Sequence, residues 1–149
     1  MALDTETDSL DFTVANLVGI SLCAKSGEAA YIPIQHDYEG APKQLSKKIV
    51  IEKLKPLLEK VPVVGQHIKF DRNVLAQHGL EINNIASDSM LMSYVLDSTA
   101  TRHNLDAMAK FYLNYATTTY EEVAGKGVKQ ITFNQVDLAA GSDYAAEDA

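Results

Sequence analysis

The 149-residue sequence contains a single cysteine, Cys23, and no tryptophan. One cysteine excludes an internal disulfide framework and is typical of a protein in a reducing compartment. No apolar run approaches the roughly 18 residues that a membrane-spanning helix needs. The N-terminal residues lack both the basic region and the apolar stretch of a signal peptide. We therefore expect a cytoplasmic protein with no membrane partner.

Positive charge is also scarce, with 13 Lys and Arg against 20 Asp and Glu and a formal net charge of −7. Proteins that hold the phosphate backbone of nucleic acid electrostatically usually have a basic surface, so the net charge argues against tight, unaided DNA binding. Acidic residues gathered to bind divalent metals would lower the net charge in the same way, and a metal-loaded site attracts phosphate. The composition therefore leaves a nucleic-acid function open.

The first third of the chain predicts three strands with short connections, which suggests an antiparallel meander at Ala2–Glu6, Leu17–Ala24 and Ala29–Ile34. After Ser46, a predicted N-cap, apolar residues recur at helical spacing from residue 47 to residue 60. Pro56 lies inside this pattern, so we expect a kink or a break there.

The rest of the chain mixes short strands with helices. Strands are predicted at Val61–Gly65 and Ile82–Ile85. Helices are predicted at Asp71–His78 (closed by Gly79), from an Asp88 cap to Leu96, at Leu105–Leu113 after an Asn104 cap, and from Asn134 to the end. Capping boxes are predicted at Thr119/Glu122 and Thr132/Gln135. Three methionines on apolar helical faces are expected in the core: Met90, Met92 and Met108.

These elements indicate one α/β domain over residues 1–149, with a mixed central sheet flanked by helices. The chain opens directly on a predicted strand and stops inside a helical pattern. We therefore expect it to be a fragment of a longer polypeptide, truncated at both ends.

Two pairs of residues suggest chemistry. Asp4 and Glu6 are two apart in a predicted strand, so their side chains share a face. Two like charges at such a short distance repel each other unless a cation lies between them, although a solvated edge strand would also tolerate them. Tyr144 and Asp148 are four apart in a predicted helix and also share a face. The alternative for this pair is a partly buried tyrosine beside a solvated carboxylate.

Asp71 lies between these elements in sequence, where it could equally serve as a helix cap. Taken together, three separate elements offer hard oxygen ligands of the kind that Mg²⁺ or Mn²⁺ requires. Two divalent ions roughly 3.5–4 Å apart supply the activated water and the charge neutralisation that phosphodiester hydrolysis needs. Spacing alone leaves this site as one candidate among several.

Four stretches resemble, in order and at the right separations, the 3′→5′ proofreading exonuclease domain of bacterial DNA polymerase I: ALDTETDSL, VGQHIKFDR, AGKGVKQITFNQ and YAAEDA. The likeness covers nearly the whole chain and places it in the DEDD superfamily, in the branch with tyrosine in its third motif. It implies a ribonuclease H-like fold and removal of 3′-terminal nucleotides from single-stranded or frayed DNA as 5′-mononucleotides, during DNA replication and repair. A covalently linked polymerase domain and a monomeric protein are implied as well.

The resemblance also implies a role for each residue of the site. Asp4, Glu6 and Asp148 would bind one metal together with the scissile phosphate. Asp4 would bridge to a second metal, which Asp71 would hold mainly through water. The ions would be Mg²⁺ or Mn²⁺, with Zn²⁺ an option at the tighter site. Tyr144 and Glu6 would orient the attacking water.

Substrate contacts follow from the same resemblance: Leu10 as a wedge against the terminal bases, Gln66, His67 and Phe70 near the strand end, Arg102 on phosphate and Tyr120 stacked on a base. Contacts of this kind do not read base identity. His67 stands where the family typically has asparagine and keeps a hydrogen-bond donor, whereas Phe70 stands where the family often has tyrosine and lacks its hydroxyl.

Two alternatives stay open. An RNA-trimming exonuclease of the ribonuclease D type shares the D-x-E and Y-x-x-x-D patterns, although the stretch AGKGVKQITFNQ favours the polymerase branch. The other alternative is a catalytically silent nucleic-acid-binding module, against which the complete set of carboxylates argues.

Overall fold

A computed structural model describes every residue from Met1 to Ala149. One five-stranded sheet has the order β3-β2-β1-β4-β5, with strands β1 (Ala2–Thr7), β2 (Leu17–Lys25), β3 (Glu28–Pro33), β4 (Val63–Gly65) and β5 (Ile85–Asp88). The first three strands form an antiparallel meander, while β4 and β5 continue the sheet in parallel with β1. The mixed sheet of the sequence-based prediction is confirmed. The predicted strand at residues 82–85 is wrong by three residues.

Six helices cover the sheet: α1 (Lys47–Leu58), α2 (Lys69–Gln77), α3 (Ser89–Leu96), α4 (Leu105–Leu113), α5 (Tyr120–Ala124) and α6 (Leu138–Asp148). Four predicted caps are confirmed, since Ser46, Asp88 and Asn104 accept hydrogen bonds from the first turns of α1, α3 and α4, and Thr119 with Glu122 forms a capping box on α5. These caps satisfy backbone N–H groups that have no partner within the helix. None of the six helices combines the length and the apolarity needed to cross a membrane.

The predicted break at Pro56 and the predicted start of the last helix are wrong. α1 continues through Pro56 to Leu58 without a break. Pro56 is exposed, so water can satisfy the carbonyl that its missing N–H leaves free. The last helix begins at Leu138 rather than Asn134, because Asp137 caps it by accepting from the N–H groups of Ala139 and Ala140.

The residues before α6 form a separate 3₁₀ turn, Phe133–Gln135, and no capping box forms at Thr132. Asp71 is not a cap either. It lies inside the first turn of α2, which begins at Lys69.

Apolar side chains form two cores. The larger core includes Leu3, Leu17, Ile20, Leu54 and Val74 and joins the sheet to α1 and α2. The smaller core lies under α5 and α6 and contains Val18, Ala124, Phe133, Val136 and Ala145.

Strict alternation along β2 would place Val18 on the side of Ile20. The register shift between the pairs Glu6–Gly19 and Thr7–Leu17 leaves Val18 as an extra residue in β2. Val18 therefore departs from the alternation and packs in the smaller core. The site described below lies beside this smaller core. Met92 is 61% exposed, and Met90 and Met108 are half-buried and belong to neither core, so the prediction that these methionines lie in the core is wrong.

Candidate metal centre

Three carboxylates meet where α6 crosses β1. Asp4 and Glu6 alternate with Thr5 along β1 and therefore point to the same side of the sheet. α6 packs on β1, β2 and β3 and brings Asp148 to that side. One oxygen of each carboxylate lies within 4.8 Å of the others. The structure thus joins residues that are 144 positions apart in the sequence.

The cluster is unfavourable without a counter-charge. Burial, with the charges of neighbouring carboxylates added to it, raises the pKa of both Asp4 and Glu6 well above their ordinary values. Burial also raises the pKa of Asp148 to about 7. The three salt bridges of the protein lie elsewhere and leave these carboxylates without Lys or Arg partners: Lys25–Glu28, Lys48–Glu52 and Lys126–Glu121.

The surroundings of the Glu6 carboxylate indicate whether the cluster fits a cation. The residue is only 8% exposed, and its Oε1 atom is buried without a hydrogen-bond partner. A buried acceptor without a partner is costly and calls for an explanation. Three carboxylate oxygens converging on one space match the preference of Mg²⁺ and Mn²⁺ for oxygen ligands. The donor set therefore fits a hard divalent cation.

Asp71 lies beside this cluster and has a different partner. Its Oδ1 accepts hydrogen bonds from the backbone N–H of Thr5 at 2.9 Å and from the Thr5 hydroxyl at 2.6 Å. Burial raises the pKa of Asp71 to about 6, and the Thr5 bonds oppose that rise. The negative charge of Asp71 in turn raises the pKa of Asp4. Asp71 is thus held against β1 and is electrostatically part of the site.

Tyr144 lies one turn before Asp148 on the same face of α6, as the spacing predicted. Its ring packs against Phe133 and Tyr120. Burial, reinforced by the charges of Asp148 and Glu6, raises the pKa of Tyr144 above its ordinary value. The hydroxyl therefore keeps its proton at physiological pH and offers a hydrogen bond beside the carboxylates.

Two grooves open from the site. The first, of about 530 Å³, runs between the β1–β2 loop and the turns before α6, and its lining includes Glu6, Leu10, Phe70, Tyr120 and Tyr144. The second, of about 340 Å³, has seven lining residues: Asp4, Thr5, Leu10, Gln66, His67, Phe70 and Asp71. Five of the six residues predicted to contact substrate therefore line one groove or both. Arg102 lines neither.

The groove residues differ in how firmly they are held. Leu10 is 94% exposed at the junction of the two grooves. Gln66 is fixed, because its Nε2 donates to the carbonyl of His103 at 2.8 Å and its Oε1 accepts from the Ser89 hydroxyl. The Tyr120 ring stacks on Phe133, and its hydroxyl donates to the carbonyl of Ile131 at 3.2 Å. Arg102 is exposed on the loop next to His103.

Comparison with known proteins gives independent evidence for the family of this chain. A family model described as 3′–5′ exonuclease matches residues 1–149. The chain belongs to this exonuclease family. It is therefore a nuclease, a hydrolase of nucleic acid, and the resemblance inferred from the motifs is confirmed.

The curated relatives of this exonuclease chain are DNA polymerases I. It is 51% identical to that of Pseudomonas aeruginosa over 153 residues, 37% identical to that of Rhizobium leguminosarum and 39% identical to that of Synechocystis. These matches cover 99–100% of this chain but only 15–17% of the relatives. The chain thus spans about a sixth of the length of the DNA polymerases I that it matches.

Solved structures confirm the fold. Brucella melitensis NrnC, described with bound Mg²⁺, superposes with a TM-score of 0.61 at 22% identity, over 99% of this chain and 65% of NrnC. Exonuclease I gives a TM-score of 0.53 at 12% identity, over 94% of this chain and 39% of that protein. At these identities the likeness concerns the fold, and it bears out the ribonuclease H-like prediction.

The motifs of this exonuclease chain did not reveal two supporting residues. Thr5 holds Asp71 by two hydrogen bonds. The sequence contained one sign of a separate role for Thr5: it lies between Asp4 and Glu6, so strand alternation turns its side chain to the opposite side of β1. Asp88 was predicted only as the cap of α3, yet its carboxylate also accepts from the N–H groups of His67 and Ile68. These bonds fix the backbone that carries His67 into the second groove, where it has a φ of 56°.

Proposed function

We propose that this chain is the 3′→5′ proofreading exonuclease domain of a DNA polymerase I, which removes 3′-terminal nucleotides from single-stranded or frayed DNA as 5′-mononucleotides. The observation that supports this most directly is the convergence of Asp4, Glu6 and Asp148 around a buried, unpartnered Glu6 oxygen. A set of buried and half-buried carboxylates without basic partners is suited to hold cations that face phosphate. The family match and the DNA polymerase I relatives support the choice of substrate.

In this proposal Asp4, Glu6 and Asp148 hold one cation, and Asp4 with Asp71 holds a second. The ions are Mg²⁺ or Mn²⁺, with Zn²⁺ an option at the tighter site. Two divalent ions supply charge neutralisation at the attacking and leaving oxygens of a phosphodiester. The Thr5 bonds hold Asp71 against β1, where it lines the same groove as Asp4, and they occupy only one of its two carboxylate oxygens.

Tyr144 and Glu6 would orient the attacking water. The raised pKa of Tyr144 keeps its hydroxyl protonated, so it acts as a hydrogen-bonding group rather than as a base. Because the Tyr144 ring is packed against Phe133 and Tyr120, the hydroxyl has little freedom to turn away. Holding a water in a reactive position accelerates hydrolysis through orientation.

The two grooves would receive the strand end. Leu10 would separate the terminal bases, Tyr120 would offer an aromatic face, and Gln66, His67 and Phe70 would contact the last nucleotides. Arg102 would reach a phosphate from its exposed loop. Apolar and aromatic contacts accept any base, which suits an enzyme that removes mismatched ends.

The same proposal includes a covalently linked polymerase domain, a monomeric and cytoplasmic protein, and no membrane partner. The length of the DNA polymerase I relatives supports the polymerase link. A net charge of −7 also suits a domain that receives DNA from a linked partner rather than binding it tightly alone.

Matched DNA and RNA strands labelled at the 5′ end test the proposal. With Mn²⁺ or Mg²⁺ the chain should shorten single-stranded DNA stepwise from its 3′ end, and a chelator should stop the reaction. A strong preference for RNA would instead support 3′-end trimming of the ribonuclease D type. Intact strands of both kinds in the presence of bound metal would support a catalytically silent module.

Replacing Tyr144 with phenylalanine should slow hydrolysis by roughly a hundredfold, while Mn²⁺ affinity stays nearly unchanged. The substitution removes only the hydroxyl and keeps the ring that packs on Phe133. Single-turnover digestion and Mn²⁺ titration calorimetry give the two quantities. Tyr120→Phe is the matched control, because it removes a hydroxyl from the same groove but keeps the stacking face, and it should leave the rate within a few-fold. Loss of folding in Tyr144→Phe would assign the hydroxyl to the core instead.

A further inference from the structure

The Tyr31 hydroxyl occupies the space over Gly19, the β2 residue that pairs with Glu6. Glu6 on β1 pairs with Gly19 on β2, and a Cβ atom added at Gly19 would lie 2.1 Å from the Tyr31 hydroxyl oxygen. Residues paired in this way have Cβ positions roughly 4.5–5.5 Å apart on one side of the sheet. The missing side chain of Gly19 therefore makes room for the Tyr31 hydroxyl beside Glu6, on the same side of the sheet. Burial together with the charge of Glu6 raises the pKa of Tyr31, which agrees with this position.

His36 determines where the Tyr31 proton points. The Nδ1 atom of His36 lies 3.0 Å from the carbonyl oxygen of Val136, and its Nε2 lies 2.8 Å from the Tyr31 hydroxyl. A carbonyl oxygen only accepts, so Nδ1 carries the ring proton and Nε2 is the acceptor. The Tyr31 hydroxyl must then donate to His36. Burial lowers the pKa of His36, which keeps the ring in this neutral form.

The His36 ring has no room to turn away from Tyr31. Gln44 holds the backbone of His36 on both sides, accepting from its N–H and donating to its carbonyl, each at 2.7 Å. The ring lies against Phe133, and α6 passes so close that a Cβ atom at Gly141 would lie 3.4 Å from the His36 Cε1 atom. The acceptor for the Tyr31 proton is therefore fixed in place.

We propose that His36 is a positioning residue: it accepts the hydrogen bond of the Tyr31 hydroxyl and so prevents Tyr31 from donating to Glu6. The buried Glu6 oxygen then stays free for a cation. The Tyr31 hydroxyl has a single proton, and His36 already receives it. Without that acceptor, the nearby Glu6 carboxylate, with its unpartnered Oε1, becomes the alternative partner for the hydroxyl. A hydrogen bond to Glu6 would compete with the cation for the same oxygen. This inference rests on the proposed metal site.

Mn²⁺ titration calorimetry on a set of variants tests the proposal. His36→Asn keeps a donor toward Val136 but is too short to reach Tyr31, so it should weaken Mn²⁺ binding about tenfold, the equivalent of one buried hydrogen bond. Tyr31→Phe should bind Mn²⁺ like the wild type. The double variant Tyr31→Phe/His36→Asn should recover most of the lost affinity, because the competing hydroxyl is gone. His36→Gln, whose longer side chain carries an acceptor to Tyr31, should retain the wild-type affinity.

Thermal unfolding with a chelator present checks that each variant is folded, and His36→Leu replaces His36→Asn if the latter is not. Equal Mn²⁺ affinity in the wild type and His36→Asn would overturn the proposal. A double variant as weak as His36→Asn would also overturn it, since that result assigns His36 a purely structural role. Absence of Mn²⁺ binding by the wild type would instead remove the proposed metal site itself, so the two failures are distinguishable.

Discussion

Asp4→Asn should reduce Mn²⁺ affinity by roughly a hundredfold or more, because a lost metal ligand costs at least as much as a lost partner of a ligand. The same substitution should raise the unfolding temperature of the metal-free protein. Asp4 is half-buried beside Glu6, Asp71 and Asp148, and neutralising it removes repulsion that the folded state bears without a cation. A gain in stability combined with a loss of metal binding distinguishes a metal ligand from a carboxylate that merely supports the fold.

Thermal unfolding with chelator and with Mn²⁺, together with Mn²⁺ calorimetry, measures both effects. Mn²⁺ should stabilise the wild type through preferential binding to the folded state and should do little for Asp4→Asn. Asp143→Asn is the matched control, since Asp143 is an exposed carboxylate on α6 outside the cluster. If Asp4→Asn and Asp143→Asn bind Mn²⁺ equally well, Asp4 is not a ligand.

The second large effect concerns pH. Without metal, the contribution of the site to the free energy of unfolding should fall as pH rises from about 4 to about 7. The pKa of Asp71 is about 6 and that of Asp148 about 7 in the folded chain, against an ordinary value of 3.8. The folded state therefore binds more protons than the unfolded state in this window. Stability from these groups is complete below pH 3.8 and is lost as pH rises through the folded pKa values.

The two pKa values together exceed the ordinary value by about 5 units, so at about 1.4 kcal/mol for each unit of pKa the expected loss is on the order of 7 kcal/mol, most of it between pH 4 and 7. Urea unfolding with chelator at several pH values between 4 and 7.5 measures it, and saturating Mn²⁺ should reverse the trend. Asp148→Asn should flatten the pH dependence because it removes the larger of the two shifts. A slope that is the same in the wild type and Asp148→Asn would contradict the assignment of this dependence to the site.

Local signals predicted much of the fold. The side chains of Ser46, Asp88 and Asn104 cap the helices that the sequence assigned to them, since capping depends on residues within one turn. The end of the chain was harder. Thr132 and Asp137 are both capable of capping a helix, and the choice between them depends on Phe133, whose burial in the smaller core keeps the preceding residues in a separate turn.

The candidate site shows the same division. Spacing predicted that Asp4 shares a face with Glu6, and Tyr144 with Asp148, and both pairs are found on one side of the sheet and of α6. Spacing was silent on whether the two pairs meet, because that depends on α6 packing across the meander. The prediction that the two pairs meet came instead from the ordered motifs of the exonuclease family. Features that no motif carried are tertiary: the Thr5 bonds to Asp71, and the contact of His36 with Tyr31.

The central claim is that these carboxylates form one divalent-cation site, and Mn²⁺-soaked crystals test it most directly. Anomalous diffraction at the manganese absorption edge should show a peak in the space bounded by Asp4, Glu6 and Asp148. The peak should be absent from crystals of Asp4→Asn soaked in the same way. Manganese found only at other carboxylates of the surface, with none between Asp4, Glu6 and Asp148, would contradict the account.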